Sequence, residues 1–263
     1  MKGLLRAFLV LATATAIFFA VAPERSSHSD AAEAVPSRIA EIERLVFDAT
    51  NAERRRQGLE PFQADTALAK IGRNHSADML RRGFFSHGSP EGVRPADRIA
   101  IGHRTLIGIS GENIWSGSGY HDKTPAELAR IIVDNWMKSP GHRKNILRDS
   151  FTHLGVGIAE SGREIRATQS FAGERARLVQ PVAPRIKADM FLDFRTVSYG
   201  PQLFALWSKD RQGIDGEPQQ IVPGQLTPLP LTPPGDYVLH FYFLESEAGS
   251  YSIFYGPAIE VTD

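Results

Sequence analysis

Trp136-Met137-Lys138-Ser139-Pro140-Gly141-His142-Arg143-Lys144-Asn145-Ile146-Leu147 ends one helix and starts another. The helix before it opens on Thr124-Pro125-Ala126-Glu127, a capping box with proline at the first helical position. Its apolar face carries Leu128, Ile131, Ile132 and Trp136, and Pro140 stops it. Ser139 then stands where a second N-cap belongs and Pro140 where a first helical residue belongs, so the direction of the His142 imidazole is fixed by a rigid start.

The same reading extends upstream and downstream. Ile39, Ile42, Leu45, Val46 and Ala49 fall at helical spacing, with Gly58 as the stop. Asp65 can cap a second helix carrying Leu68, Ile71, His75 and Met79 on one face and closed by Gly83. Leu154, Val156 and Ile158 alternate with small residues, Ser161-Gly162 turns the chain, and Ile165, Ala167, Gln169 and Phe171 return as a paired strand. Helices with an antiparallel sheet predict an α+β layered domain over residues 37–175. Past residue 175 the character changes: half of the aromatic residues fall in the last third, among Pro181, Pro184, Pro228 and other prolines. Tyr237 to Phe243 and Tyr251 to Tyr255 are β-rich runs. Residues 176–263 are therefore expected to form a small all-β, sandwich-like accessory domain.

Composition narrows the function classes. The chain has 263 residues, 30 basic and 30 acidic side chains and no net charge, which argues against a nucleic-acid partner. It has no cysteine, so disulfides, thiolate metal sites and a cysteine nucleophile are excluded. Lys2 and Arg6 precede an uncharged, mostly apolar run from Ala7 to Ala22. This is the layout of a secretory signal, cleaved near Ala22 or Ala34 or kept as an N-terminal anchor, with 1–22 as signal and 23–36 as linker. The run is short for a spanning helix, and no other segment is long and apolar enough to cross a bilayer. The expected setting is secreted, periplasmic or cell-envelope.

Six of the eight histidines lie between His75 and His153. Around them stand Asn74-His75-Ser76, Phe85-Ser86-His87-Gly88-Ser89-Pro90-Glu91, Gly111-Glu112-Asn113-Ile114, Ser139-Pro140-Gly141-His142-Arg143 and Phe151-Thr152-His153-Leu154-Gly155. Together, in this order, they resemble the CAP superfamily (cysteine-rich secretory proteins, antigen 5 and pathogenesis-related proteins), in its bacterial SCP-domain branch. The resemblance covers about Ile39 to Gly173. It implies a three-layer α-β-α sandwich with a cleft lined by two histidines, His87 and His142, and two acids, Glu112 and Glu91. It also suggests that a small lipid or sterol binds elsewhere, in an apolar groove.

His87 and Glu112 read as members of glycine-rich loops flanking helices. Two imidazoles with one or two carboxylates suit a divalent cation such as zinc, held by His87, His142 and Glu112 with a position left for water. Without metal, a carboxylate beside each imidazole would raise its pKa and hold its tautomer. The expected role is an exported binding or interaction module toward an envelope or extracellular partner. The enzymatic alternative is metal-assisted hydrolysis of a peptide or ester, with His87, Glu91, Glu112 and His142 as the catalytic set. Against it, there is no His-Glu-x-x-His helix and no nucleophile elbow. His75 reads as a satisfied core histidine and His153 as structural. His103 and His121 read as loop residues, and Arg54-Arg55-Arg56 as a solvated helix end.

Overall fold

A computed structural model describes residues 37–187, 192–198, 203–208, 219–222, 226–229, 233–244 and 251–263. The signal and linker expected over 1–36 lie outside them. In chain order the elements are α1 (Arg38–Arg56), β1 (Gln63–Ala64), α2 (Thr66–Arg82), α3 (Pro95–Gly102), β2 (Leu106–Ser118), α4 (Pro125–Lys138), α5 (Pro140–Ile146), β3 (His153–Ser161) and β4 (Glu164–Leu178). There follow β5 (Arg185–Lys187), β6 (Leu192–Ser198), β7 (Leu203–Ser208), β8 (Gln219–Ile221), β9 (Leu226–Leu229), β10 (Gly235–Leu244) and β11 (Tyr251–Thr262). The architecture is α+β, with a layered helical core and a β-rich C-terminal region.

The local signals act as read. Asp65 accepts from Leu68 N–H at 2.9 Å, and Gly83 closes α2 in the left-handed conformation. Thr124 and Glu127 form the reciprocal capping box of α4. Ser139 occupies the N-cap position of α5, although its side chain makes no capping bond.

The sheet runs β1-β3-β4-β2-β11-β10-β7-β8 and is not closed into a barrel; β5 joins β11, and β6 joins β4 and β9. Strand alternation divides the faces of β4. Ile165, Ala167 and Phe171 pack with Ile42 and Val46 of α1 and with Leu128, Ile132 and Trp136 of α4. On the opposite face Ala172 packs with Leu68 and Ile71 of α2 and Ile99 of α3, and Thr168 meets Ser76 of α2 at 2.8 Å. The result is three layers, with α1, α4 and α5 on one side and α2 and α3 on the other.

Glycine permits the closeness of α2. A Cβ on Gly155 would lie 2.0 Å from Ala69 N, and one on Gly157 would lie 1.9 Å from Arg73 N, so α2 rests directly on the backbone of β3. The small residues that alternate with Leu154, Val156 and Ile158 are the seat of that helix.

Strand β4 runs unbroken through residues 175 and 176 and pairs with β6 at Ala176, Arg177 and Leu178. The β10–β11 hairpin joins the layered sheet at one register point, Tyr255 opposite Gly108. Its own core contains Tyr237, Leu239, Phe241, Phe243, Phe254 and Val261, together with Ile107, Ala176 and Leu178 from the layered part. Pro36–Asp263 pack as one compact unit. Among the described residues, no helix is long and apolar enough to cross a membrane.

Beyond Gly108, the side of β2 away from β4 has no strand partner among the described residues. Helical side chains cover it instead: Trp136 Nε1–H donates to Ile114 O at 3.1 Å and Asn145 Nδ2–H to Glu112 O at 3.2 Å. These bonds blunt an edge that would otherwise pair with another chain.

Seating α2 on glycine gives a direct test. Gly155→Ala is expected to destabilise the protein by about 3 kcal/mol, because the two nearest atoms in conflict, Ala69 N and Leu68 C, are backbone. Gly141→Ala, where a Cβ meets nothing within 4 Å, is expected to leave stability unchanged or to raise it by up to about 1 kcal/mol. Urea melts of the two variants make the comparison; equal stabilities would refute the close packing.

Candidate functional site

Glu112 lies within β2 and not in a loop. Glycine and serine break the alternation of this strand for reasons that are local to it. A Cβ on Gly111 would meet the Phe151 ring at 2.6 Å, and one on Gly117 would meet the Trp115 ring at 2.1 Å. Two aromatic side chains therefore occupy the space in which ordinary strand residues would stand.

Because consecutive strand residues point to opposite faces, Glu112 and Asn113 deliver their side chains to different layers. Glu112 turns toward α2 and α3. Its Oε1 is 2.8 Å from His87 Nδ1, and its Oε2 accepts from Arg98 Nη2 at 2.6 Å. Arg98 also donates to His87 O at 2.9 Å and Val93 O at 3.0 Å. One guanidinium thus fixes both the carboxylate and the loop that carries the imidazole. Asn113 turns toward α5, donating to His142 O at 3.2 Å and to Gln169 Oε1 at 2.9 Å. Its Oδ1 accepts from Asn145 Nδ2 at 2.9 Å. Gln169 passes the chain of bonds on to Thr50 of α1 at 2.8 Å.

His87 and His142 are thus tied to consecutive residues of β2, His87 by its ring to Glu112 and His142 by its carbonyl to Asn113. His87 Nδ1–H donates to Glu112, so that Nε2 is the acceptor nitrogen of this half-exposed ring whenever the ring is neutral. His142 has no side-chain hydrogen bond among the described residues. Burial pushes its pKa below the ordinary histidine value, and the charge of nearby His87 pushes the same way. An imidazole paired with a buried carboxylate and a second, partly buried imidazole near it each have a nitrogen lone pair to offer in the neutral form.

Glu91 stands apart from this trio. Its carboxylate lies on Arg82, one oxygen accepting from Nη1 at 3.0 Å, and those hydrogen bonds pull its pKa down to about 2. With His75, Asp78, Arg81 and Arg98 it lines a separate pocket of about 430 Å³, which includes neither His87 nor His142. His75, which lines this pocket, has its Nε2 3.9 Å from Glu112 Oε1. His75 is buried and donates to Ser86 O at 3.0 Å, the satisfied core histidine expected from its helix face. Ser86 Oγ accepts from Gly88 N–H and Ser89 Oγ from Val93 N–H, so the serines beside His87 serve their own loop.

Arg98 is the principal member missed by sequence reasoning. Its only local signal is the Pro95–Gly102 helix, which opens on Arg94 with Asp97 bonded back to Arg94 N–H at 2.7 Å. His103 is also more than a loop residue. It is buried, its Nε2–H donates to Asp65 Oδ2 at 2.9 Å, and its Nδ1 accepts from Leu106 N–H at 3.1 Å. Burial works against the charge of Asp65, yet His103 and Leu68 N–H hold its pKa down to about 2. Arg54 overturns the picture of a solvated helix end: it is 2% exposed and lies 3.9 Å above the Phe62 ring.

Residues 47–171 match the sequence profile of CAP, the Cysteine-rich secretory protein family. YkwD of Bacillus subtilis, an uncharacterized protein, is 41% identical over 156 residues, covering 58% of this chain and 55% of its own length. YlbC of the same organism, an uncharacterized membrane protein, is 36% identical over 116 residues, covering 44% of this chain and 31% of its own length. The chain thus spans about half or less of these curated relatives. Among solved structures, an extracellular protein containing a SCP domain from Bacillus anthracis is 34% identical with a TM-score of 0.43. The match covers 51% of this chain and 40% of that one. A cysteine-rich secretory protein from Staphylococcus aureus is 18% identical with a TM-score of 0.41, over 53% and 40% of the two chains.

The buried imidazoles predict an acid-side loss of stability. Burial sets the pKa values of His75, His142 and His153 below the ordinary 6.5, with Glu112 opposing the shift at His75 and Arg98 adding to it. These rings stay neutral in the folded protein while the unfolded chain takes protons. The stability they contribute is complete above about pH 6.5 and is lost as pH falls through the folded values. Urea melts between pH 7 and 5 should show this decline. In His75→Gln, which keeps a donor toward Ser86 O, the slope should be shallower by up to about 1.4 kcal/mol per pH unit. An unchanged slope would mean that His75 does not titrate in this range.

Proposed function

Since residues 47–171 belong to the CAP family of cysteine-rich secretory proteins, we propose that the chain is an exported binding module whose cleft captures a divalent cation through His87 and His142. The observation that carries this reading is the pairing of His87 Nδ1 with Glu112 Oε1 near His142, which in the neutral ring leaves the His87 Nε2 lone pair available. Its secreted or envelope setting follows from the basic-then-apolar start of the sequence and from the extracellular SCP-domain relative.

The donor chemistry fits a borderline cation such as zinc, for which neutral imidazole is a preferred ligand. Among the described residues no three His, Asp or Glu side chains form a ready-made metal centre. The proposed site is accordingly a two-imidazole one, with water or a partner's own group as the remaining ligands. Both oxygens of Glu112 are already engaged, by His87 and by Arg98. The role proposed for Glu112 is to hold the His87 tautomer and ring orientation, the usual work of a carboxylate behind a ligating histidine. Bound there, the cation would supply Lewis acidity and an open coordination position. The protein's own part is to hold two neutral imidazoles, one against Glu112 and one on the Asn113-braced helix.

The test is zinc binding by the whole protein. Isothermal titration and thermal shift should show zinc-dependent stabilisation in the wild type and none in His87→Ala/His142→Ala. Glu112→Gln should bind zinc about 10- to 100-fold more weakly while keeping both imidazoles. Equal zinc shifts in wild type and double variant would sink the cleft reading.

A further inference from the structure

Four exposed bases fall within the eleven residues from Lys138 to Arg148. The chain carries no net charge, and many exposed bases are neutralised by close partners. Arg44 meets Asp48, Arg56 meets Glu53, Arg81 and Arg82 meet Asp78 and Glu91, and Arg185 meets Glu260. By contrast, Lys138, Arg143, Lys144 and Arg148 are exposed without an ion pair among the described residues, and Asp149 is the only carboxylate between Lys138 and Phe151. The buried Arg54 adds to this face: it donates to Ile146 O and Arg148 O, both at 2.9 Å, and so fastens the C-terminal end of α1 to the end of α5. Arg55, the next residue of α1, is exposed and has no ion pair among the described residues.

We propose that this face, formed by α5 and the C-terminal end of α1, binds a linear polyphosphate chain through its local charge, which stands apart from the neutral overall balance that argues against a nucleic-acid partner. Three observations favour such a polymer. The bases lie on rigidly anchored elements, because Ile146 is fully buried and Asn145 is bonded to both Glu112 O and Asn113. The backbone that carries them is thus already ordered, and the cost of binding is confined to the rotamers of the side chains. Three of the five are arginines, whose planar guanidinium fork matches phosphate oxygens in two-bond contacts. The large exposed apolar side chains of the described residues, Phe85, Ile101, Val179, Val222 and Ile253, all lie off this face. It therefore has the charge to hold phosphates without the apolar anchors with which a protein surface enters a membrane. His142 is the residue before Arg143, so a polymer held here would pass the mouth of the cleft, although the surface does not depend on a metal in it.

The full-length protein can be titrated with long-chain polyphosphate, inorganic monophosphate and phosphatidylglycerol vesicles. Binding to polyphosphate, much weaker binding to the other two, and a steep loss with added salt are expected. Arg55→Gln/Arg143→Gln/Lys144→Gln should weaken polyphosphate binding at least about tenfold and reduce the salt slope by about two. Lys70→Gln/Arg163→Gln/Lys187→Gln makes the same charge change at exposed bases elsewhere and should weaken it less than about twofold. His87→Ala/His142→Ala should leave it intact, which separates this surface from the cleft. No binding to polyphosphate, equal loss in both triple variants, or vesicle or monophosphate binding as tight as polymer binding would overturn the proposal.

Discussion

The cleft depends on Glu112, a carboxylate whose side chain is only 3% exposed. An isolated carboxylate at that depth would cost several kcal/mol in lost hydration. Arg98 offsets that cost by charge-assisted hydrogen bonding, and His87 occupies the other oxygen. Removing either partner would leave a buried acceptor underbonded, so the three side chains stand or fall together. Geometry follows from this. Because Arg98 also binds His87 O and Val93 O, the loop that presents the imidazole is held from inside by the group that neutralises the carboxylate.

The second half of the cleft is positioned by neutral chemistry. Asn113, one residue along the same strand, projects into the opposite layer and binds the backbone of His142, while Asn145 binds both Asn113 and the carbonyl of Glu112. Amide side chains suit this place because they donate and accept at once, and so close an uncovered strand edge without adding charge. The two histidines consequently differ in kind. His87 is held through its ring and His142 through its main chain, which leaves the His142 imidazole responsive to whatever enters the cleft.

Much of this was legible where the signal is local. Asp65 and Gly83 bound α2, the Thr124 box starts α4, and the alternation of Leu154, Val156 and Ile158 marks β3, because caps and alternation are properties of neighbouring residues. The strings around His87, Glu112 and His142 singled out the trio. What escaped is non-local. Strand β2 reads as loop because its glycines answer to Phe151 and to the Trp115 ring. Arg98 carries no motif, and its value comes from residues 11 and 14 positions away. Glu91 is close to His87 in sequence, and its carboxylate is bonded to Arg82, a partner nine residues away that no local signal announces.

Arginine also takes up a task that the absence of cysteine leaves open. An exported domain of this size is commonly cross-linked by disulfides, and this chain has none to form. Arg54 spans from α1 to Glu60 O, Ile146 O and Arg148 O, and Arg104 donates to Val182 O, Ala183 O and Ala258 O. Each guanidinium ties together segments far apart in sequence by satisfying carbonyls that would otherwise be left at the ends of elements. Burial lowers the pKa of both groups, yet an arginine remains charged in such a setting, so every bond is charge-assisted. Such a staple differs from a disulfide in one respect that matters outside the cell: it is indifferent to redox conditions. Arg54 fastens the helix of His142, and Arg104 fastens the C-terminal hairpin to the layered core.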